Sequence, residues 1–136
     1  MGVISFPKWP VYCHVRDGQN VIRLWLDQSG VSTAMRYALQ NQIDLVQYGG
    51  PAVVPGCIVN VGAEFEAFKG VRKGERSVYL VFRRGVFAEQ EITLLTGTFA
   101  PRTCLDEARQ YLREIERDRN GRRKYERITR SAARGI

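Results

Sequence analysis

The sequence predicts an α+β fold, in which a small antiparallel or mixed sheet is packed by an N-terminal helix hairpin and a C-terminal helix. Residues 77–82 (SVYLVF) and 91–96 (EITLLT) are nearly continuous runs of apolar, β-branched and aromatic residues, typical of strands covered on both faces. Other segments repeat apolar residues at helical spacing. The resulting order of strand, helix, helix, strands and helix is typical of helices gathered on one sheet.

The first half of the chain predicts one strand and two helices. Residues 11–15 (VYCHV) form the strand-like run. Asn20 is a suitable cap for a short helix over residues 21–28, and Ser32 or Thr33 for a second helix that ends at a Gly-Gly-Pro sequence. The second helix has an apolar stripe that we expect to pack on the sheet, formed by Met35, Leu39, Ile43 and Val46.

The second half predicts most of the sheet and a final helix. A short turn joins residues 77–82 to residues 91–96, so we expect these strands to be antiparallel neighbours at the centre of the sheet. Two runs between residues 58 and 68 are weaker strand candidates. Thr103 begins a sequence similar to a capping box, which predicts a helix over about residues 104–119. The apolar stripe of this helix is Leu105, Ala108, Leu112 and Ile115.

The positive charge is concentrated at the C-terminus. The net charge is +7, from 21 Lys and Arg against 14 Asp and Glu. Residues 117–136 contain eight basic and two acidic residues, so the segment before them has a net charge of only +1. We expect a single domain over residues 1–120, followed by a basic tail over residues 121–136 that adds nucleic-acid affinity but not stability. An anionic membrane is a less favoured partner.

The cysteine and histidine content argues against a metal site. Cys13, Cys57 and Cys104 are odd in number and widely spaced, which favours free buried thiols in a reducing cytoplasm. His14 is the only histidine, so a histidine-rich metal site is excluded; it is a minor candidate for proton transfer, because imidazole titrates near neutral pH. We expect no metal and no cofactor. Without an apolar run of membrane-spanning length or a signal-peptide pattern, the sequence predicts a cytoplasmic protein.

Five phrases of the chain form a series of helix, turn and strand motifs: DGQNVIRLWLDQSG (17–30), LVQYGGPAVVPG (45–56), RSVYLVFRRG (76–85), EITLLTGTF (91–99) and LDEARQYLREIERD (105–118). The series resembles the RelE/HigB-type toxins, in particular their phage-derived branch. In order, the phrases correspond to that branch's opening Asp-Gly phrase, its helix with a Gly-Pro connection, its Arg-Val-x-Tyr strand, the strand that follows, and the closing helix. The resemblance covers roughly residues 11–119.

The resemblance implies an activity and two partners. Members of that family are small basic ribonucleases that cut messenger RNA, usually on the ribosome, and a cognate antitoxin protein neutralises them. By resemblance the reaction needs no metal, because the 2′-hydroxyl attacks the adjacent phosphate and leaves a cyclic phosphate. This chemistry needs one group that takes a proton, one that supplies a proton, and cations that stabilise the phosphorane.

The resemblance and the charged turns together indicate four candidate catalytic residues. Arg76 matches the family's strand arginine, and Lys69 and Arg102 lie in turns that flank the predicted sheet, so these three are expected to contact phosphate. Tyr79 is the candidate for proton transfer, with a core aromatic as the alternative interpretation. Tyr125 is a second candidate for the same role.

A wider set of basic and aromatic residues is expected to contact nucleic acid: Arg72, Lys73, Arg83, Arg84, Arg122, Arg123, Lys124, Tyr125 and Arg127.

Some features depart from the family's pattern. Residues 66–68 lack its arginine, Thr96 replaces its histidine, and the loop at residues 100–103 is short, with one basic residue. These departures favour an alternative, a non-catalytic module of the same fold that binds nucleic acid or a host protein and is encoded by a phage or mobile element.

Overall fold

The computed structural model describes residues 7–62 and 64–129, which form a seven-stranded sheet and three α-helices. None of the helices in these two ranges is long and apolar enough to cross a membrane. The elements are, in chain order, β1 (Val11–Arg16), β2 (Gln19–Asn20), α1 (Val21–Gln28), α2 (Thr33–Gly49), β3 (Ile58–Gly62), β4 (Phe65–Gly70), β5 (Val78–Arg84), β6 (Ile92–Thr98), α3 (Leu105–Arg117) and β7 (Arg122–Lys124).

The sheet is mixed and has the strand order β2-β1-β6-β5-β4-β3. β1 runs parallel to β6, and the other neighbouring pairs are antiparallel. β5 and β6 lie side by side near the centre, with Tyr79 opposite Thr98 and Arg84 opposite Ile92. The predicted α+β fold and the predicted pairing of these two strands are therefore confirmed.

Helices cover both faces of the sheet. α1 and α2 pack on one face, and α3 packs on the other. Because the central strands are covered on both sides, β5 and β6 are nearly continuous in apolar residues. α1 lies so close to β6 that a Cβ atom at Gly97 would overlap the Trp25 ring. The largest buried side chains are Phe65, Phe68, Phe82, Ile22, Leu26, Met35, Leu39, Ile43, Leu80, Ile92, Leu94 and Leu95.

Two of the predicted helix caps are confirmed, and the third is wrong. The Asn20 side chain accepts a hydrogen bond from the backbone N–H of Arg23, and the Ser32 hydroxyl accepts one from Met35, both at 3.1 Å. At α3, Thr103 does not cap the helix. Its hydroxyl donates to the carbonyl of Ala100 at 2.8 Å, because a 3₁₀ turn over Pro101–Thr103 precedes the helix.

The described part of the predicted tail packs on the sheet, contrary to expectation. β7 pairs antiparallel with β1, on the side away from β6. Beyond β7, the Ile128 side chain is fully buried in the core shared by α1, α2 and the sheet. The prediction of a basic tail depends on the charge of this segment. The few apolar residues between those charges instead determine where it packs. Residues 130–136 of the predicted tail lie outside the described residues.

Buried Gln40 holds this segment against α2. Its Oε1 atom accepts hydrogen bonds from the Tyr125 hydroxyl and from the backbone N–H of Ile128, the latter at 2.9 Å. Both bonds join positions more than eighty residues apart in the chain. The C-terminal segment therefore belongs to the folded body at least as far as Ile128.

Ile128→Ala should destabilise the protein by about 2–5 kcal/mol, because it leaves a cavity in the core. Urea unfolding followed by circular dichroism measures this change. Arg127→Ala is the matched control, since its side chain is 67% exposed and its change should stay within about 0.5 kcal/mol. Equal stability of both variants would show that residues 125–129 do not contribute to the core.

Candidate functional site

Lys69 and Tyr79 face each other on neighbouring strands at one end of the sheet. Lys69 of β4 pairs with Tyr79 of β5, and Tyr79 pairs with Thr98 of β6. The Lys69 ammonium lies 5.8 Å from the centre of the Tyr79 ring. Both side chains are half-buried, and the Tyr79 ring packs against the core under α3. Tyr79 is thus a core contact for part of its surface and accessible for the rest.

The turn after β6 approaches the same end of the sheet. The Thr98 hydroxyl accepts a hydrogen bond from the backbone N–H of Ala100 at 3.0 Å, which fixes the chain as it leaves the strand. Arg102 lies in the following 3₁₀ turn and is exposed. Burial raises the pKa of the nearby Cys104 thiol to about 11, so this thiol is protonated at neutral pH and is a poor nucleophile.

Arg76 lies at the same end of the sheet but on the side of the helix hairpin. Its guanidinium carbon is 4.1 Å from the centre of the Phe99 ring, and that ring packs on Trp25 at 5.1 Å. Arg76 lines a cleft of about 280 Å³ together with the α1–α2 turn (Ser29 to Ser32), Glu75, Val78 and Phe99. The structure therefore brings Lys69 and Tyr79 together on one face of the sheet. It places Arg76 at the same end of the sheet, on the face covered by the helix hairpin.

Ion pairs divide the predicted phosphate-contacting residues into two groups. Arg72 binds Glu75 at 3.0 Å, Arg84 binds Glu66 with contacts of 2.5 and 2.7 Å, and Arg127 lies 3.9 Å from Asp44. These carboxylates neutralise much of the charge that a phosphate would otherwise meet. Within the described ranges, the residues without such a carboxylate are Lys69, Lys73, Arg76, Arg83, Arg102, Arg123 and Lys124.

Two of the unpaired arginines bind backbone carbonyl groups. Arg83 donates to the carbonyl of Arg84 at 3.2 Å, and Arg123 donates to that of Gly18 at 2.6 Å. Lys73 and Lys124 are exposed. The unpaired charge is therefore spread around the sheet ends and β7, with Lys69, Arg76 and Arg102 at the end that carries Tyr79.

Arg122, predicted to contact nucleic acid, is instead part of the interior. Its guanidinium donates to both Glu91 carboxylate oxygens, at 2.9 and 3.1 Å, and to the Thr93 hydroxyl at 2.7 Å. The guanidinium lies 3.9 Å from the Tyr12 ring centre and 4.5 Å from that of Phe87. Burial raises the pKa of Glu91, but hydrogen bonds from Arg122 and the backbone outweigh it, so this pKa is below its usual value.

Arg122→Met should destabilise the protein by about 3–5 kcal/mol at neutral pH, because it leaves the buried Glu91 carboxylate without its partner. Glu91 has a lowered pKa, so its contribution is complete above its ordinary pKa of 4.5 and is lost as pH falls through the folded value. The difference in free energy of unfolding between Arg122→Met and the wild type should therefore become smaller as the pH falls below 4.5. Urea unfolding of both proteins at several pH values, from neutral to below 4.5, measures this difference.

Arg84→Met is the control for this experiment, since the Arg84–Glu66 pair is partly exposed, at 39% and 27%. Its loss should cost no more than about 1 kcal/mol. If Arg122→Met were no more destabilising than Arg84→Met, the buried pair would not anchor β7.

Tyr125 is also unsuited to its predicted role. Its hydroxyl donates to Gln40, and burial raises its pKa far above the ordinary value. A phenol in this position neither reaches a ligand at the surface nor ionises near neutral pH. Tyr125 anchors the C-terminal segment, and of the two predicted proton-transfer tyrosines only Tyr79 lies beside an unpaired cation.

A polar cluster around the buried His14 connects β1 with α3. His14 is fully buried, and its Nε2 atom lies 3.2 Å from Oε1 of Glu114, which also binds Arg16 at 3.2 Å. The Tyr111 ring lies 4.5 Å from the imidazole. The sequence analysis missed Arg16, Tyr111 and Glu114 as a group. The i, i+3 spacing of Tyr111 and Glu114 indicates a shared helix face but not its partner strand.

Burial lowers the pKa of His14 from its usual 6.5, and the Glu114 carboxylate opposes this shift without reversing it. Among the described atoms, His14 Nδ1 has no hydrogen-bond partner. A proton at this atom would therefore be buried without an acceptor. The imidazole is too deeply enclosed to touch a substrate, so it supports the fold.

The free energy of unfolding should decrease as pH falls from about 7.5 to about 5.5, because unfolded His14 binds a proton more readily than folded His14. The slope should not exceed about 1.4 kcal/mol per pH unit, the limit for one proton. His14→Gln keeps a donor for Glu114 and should remove the slope. Urea unfolding of both proteins at several pH values tests this. A slope that persists in the variant would assign the effect to another group.

No group of three or more His, Cys, Asp or Glu residues suited to a metal ion occurs among the described residues. No family model matches the chain, and no curated protein matches it.

Proposed function

We propose that this protein is a metal-independent endoribonuclease of the RelE/HigB toxin type, which cleaves messenger RNA on the ribosome and is neutralised by an antitoxin protein. The observation that carries this proposal is the pairing of Lys69 with Tyr79 on adjacent strands. A phenol beside an unpaired ammonium supplies two of the functions that phosphodiester cleavage requires, proton transfer and charge stabilisation.

In the proposed reaction, the 2′-oxygen attacks the adjacent phosphorus and the bond to the 5′-oxygen breaks. The products are a cyclic phosphate and a free 5′-hydroxyl. Tyr79 donates a proton to the leaving 5′-oxygen, solvent water takes the proton of the 2′-hydroxyl, and Lys69 and Arg102 stabilise the charge on the phosphorane. Arg76 holds a phosphate oxygen from the edge of the sheet, and its stacking on Phe99 leaves its N–H edge free for this contact.

The alternative is a non-catalytic module of the same fold that binds nucleic acid or a host protein. It is favoured by what occupies the positions where the family has catalytic residues. Phe68 lies in the buried core, and the Thr96 hydroxyl is bonded to Glu107 at 2.8 Å. Neither residue supplies a cation or a proton to a ligand, so catalysis depends on Lys69, Tyr79, Arg76 and Arg102 alone.

Arg76→Ala and Tyr79→Phe should each reduce RNA cleavage on the order of a hundredfold or more, as expected for loss of a transition-state contact. Tyr79→Phe keeps the packing of the ring and removes only the hydroxyl, so it separates proton transfer from a core role. Growth arrest on induced expression and primer-extension mapping of transcripts measure the effect. Cleavage by the purified protein should continue in the presence of a chelator.

Arg72→Ala is the control, because Glu75 already neutralises this arginine, and it should change cleavage little. Full activity of Tyr79→Phe would assign Tyr79 to the core and contradict its catalytic role. Cleavage that stops in chelator would contradict the metal-free mechanism. If the wild-type protein neither cleaves RNA, with or without ribosomes, nor arrests growth, the ribonuclease proposal is contradicted. The non-catalytic binding module is then the remaining interpretation.

A further inference from the structure

The cleft beside Arg76 lies between two turns. One is the α1–α2 turn over residues 29–32, and the other joins β4 to β5 and contributes Glu75 and Arg76. Val78 and Phe99 complete the lining, so the cleft combines apolar surface with two charged side chains. Its volume of about 280 Å³ is near the lower end of the range for small-molecule sites, which suits a single flat ring system.

Glu75 presents a fixed carboxylate to this cleft. The Ser32 hydroxyl donates to its Oε1 atom at 2.5 Å, and Nε of Arg72 donates to its Oε2 atom at 3.0 Å. The Ser32 hydrogen bond holds the pKa of Glu75 below its usual 4.5, so the group is charged at neutral pH. Each carboxylate oxygen is able to accept a second hydrogen bond. Glu75 therefore offers two neighbouring acceptors that are positioned before any ligand binds.

Arg76 offers a flat surface next to this carboxylate. Its guanidinium lies over the Phe99 ring, with 4.1 Å between the guanidinium carbon and the ring centre. Phe99 in turn packs on Trp25 at 5.1 Å, which supports the stack from below. Because Arg76 is exposed, the guanidinium face turned away from Phe99 is open to another flat ring. Unpaired nucleic-acid bases bind proteins by such stacking on arginine and aromatic planes.

The charge around the cleft favours a ligand that carries both phosphates and N–H donors. The β4–β5 turn has three basic side chains, Arg72, Lys73 and Arg76, against the single carboxylate of Glu75. The basic side chains attract phosphates. The carboxylate accepts hydrogen bonds but donates none, so it selects a base edge that consists of donors.

We propose that this cleft binds a guanine base of single-stranded RNA, stacked on Arg76 and hydrogen-bonded through its Watson–Crick edge to Glu75. Guanine has two adjacent donors on that edge, N1–H and the 2-amino group, and they match the two carboxylate oxygens. The proposal rests on the proposed function in one respect, that the guanine belongs to RNA. It makes Glu75 a residue that determines base specificity.

The other RNA bases match Glu75 less well. Adenine and cytosine place a ring nitrogen acceptor beside their amino group, and this acceptor would face a carboxylate oxygen. Uracil has one N–H between two carbonyl oxygens, which meet the same repulsion. Only guanine uses both oxygens of Glu75 without placing an acceptor against them.

The test uses fluorescent deoxyuridine oligonucleotides of about six residues, with deoxyguanosine, deoxyinosine or deoxyadenosine at one central position. They lack the 2′-hydroxyl that attacks phosphorus, so binding is measured without cleavage. Fluorescence anisotropy with the full chain should show about tenfold tighter binding of the guanine oligonucleotide than of the other two. Inosine is the sharpest comparison, because its base lacks only the 2-amino group.

Glu75→Gln should remove the discrimination between guanine and inosine, because an amide has a single acceptor oxygen. The substitution also removes a negative charge, so binding governed by charge alone would become tighter for all three oligonucleotides. Glu116→Gln is the matched control, since it makes the same change at an exposed position of α3, on the other face of the sheet. It should keep the preference for guanine, and thermal unfolding of both variants should match the wild type.

Two results would overturn the proposal: equal binding of the three oligonucleotides by the wild type, or an unchanged guanine preference in Glu75→Gln. A third measurement identifies the source of the guanine. Guanosine monophosphate should compete only weakly, because it lacks the neighbouring phosphates. If it bound as tightly as the oligonucleotide, the ligand would be a free nucleotide, and the assignment to RNA would be wrong.

The specificity of the cleft and the proposed ribonuclease activity can fail separately. Primer extension should place guanine at one fixed position relative to the cuts, and Glu75→Gln should spread the cuts to other bases. Cleavage without any guanine preference would overturn this inference and leave the activity standing. Guanine-specific binding by a chain that does not cleave RNA would support the inference and contradict the activity.

Discussion

The covering of the sheet on both faces decides where polar chemistry can lie in this protein. β5 and β6 are buried between the helix hairpin and α3, so most of their side chains serve the core. Groups that meet a ligand are then confined to the strand ends and the outer surfaces of the helices. Lys69 and Tyr79 lie at such a strand end.

The same constraint explains why positive charge is a weak guide to function here. Arg84 and Arg122 come from sequences that are equally basic, yet both bind carboxylates, and Arg122 is almost entirely enclosed. Lys69 and Arg76 have no carboxylate partner among the described residues. The net charge includes every charged side chain, whether it is paired or not. A phosphate is attracted mainly by the positive charges that remain unpaired at the surface.

Local patterns predicted most of the fold, and long-range pairing accounts for what they missed. The central strands, the hairpin helices and the caps at Asn20 and Ser32 depend on neighbouring residues, so the sequence shows them directly. β7 depends on an edge of β1 more than a hundred residues earlier, and the Glu91–Arg122 pair joins residues 31 apart. Partners of this kind are absent from the local pattern, so the segment was mistaken for a tail.

A direct physical link joins the proposed catalytic strand end to α2. The Gln42 side chain of α2 donates to the carbonyl of Lys69 at 3.0 Å, and Gly70 is so close to α2 that a Cβ there would clash with Met35. The backbone at Lys69 and Gly70 is therefore held against α2, and the packed core resists relative movement of the two elements. The proposed reaction would accordingly take place at a rigid strand end, where the position of Lys69 is fixed before a ligand binds.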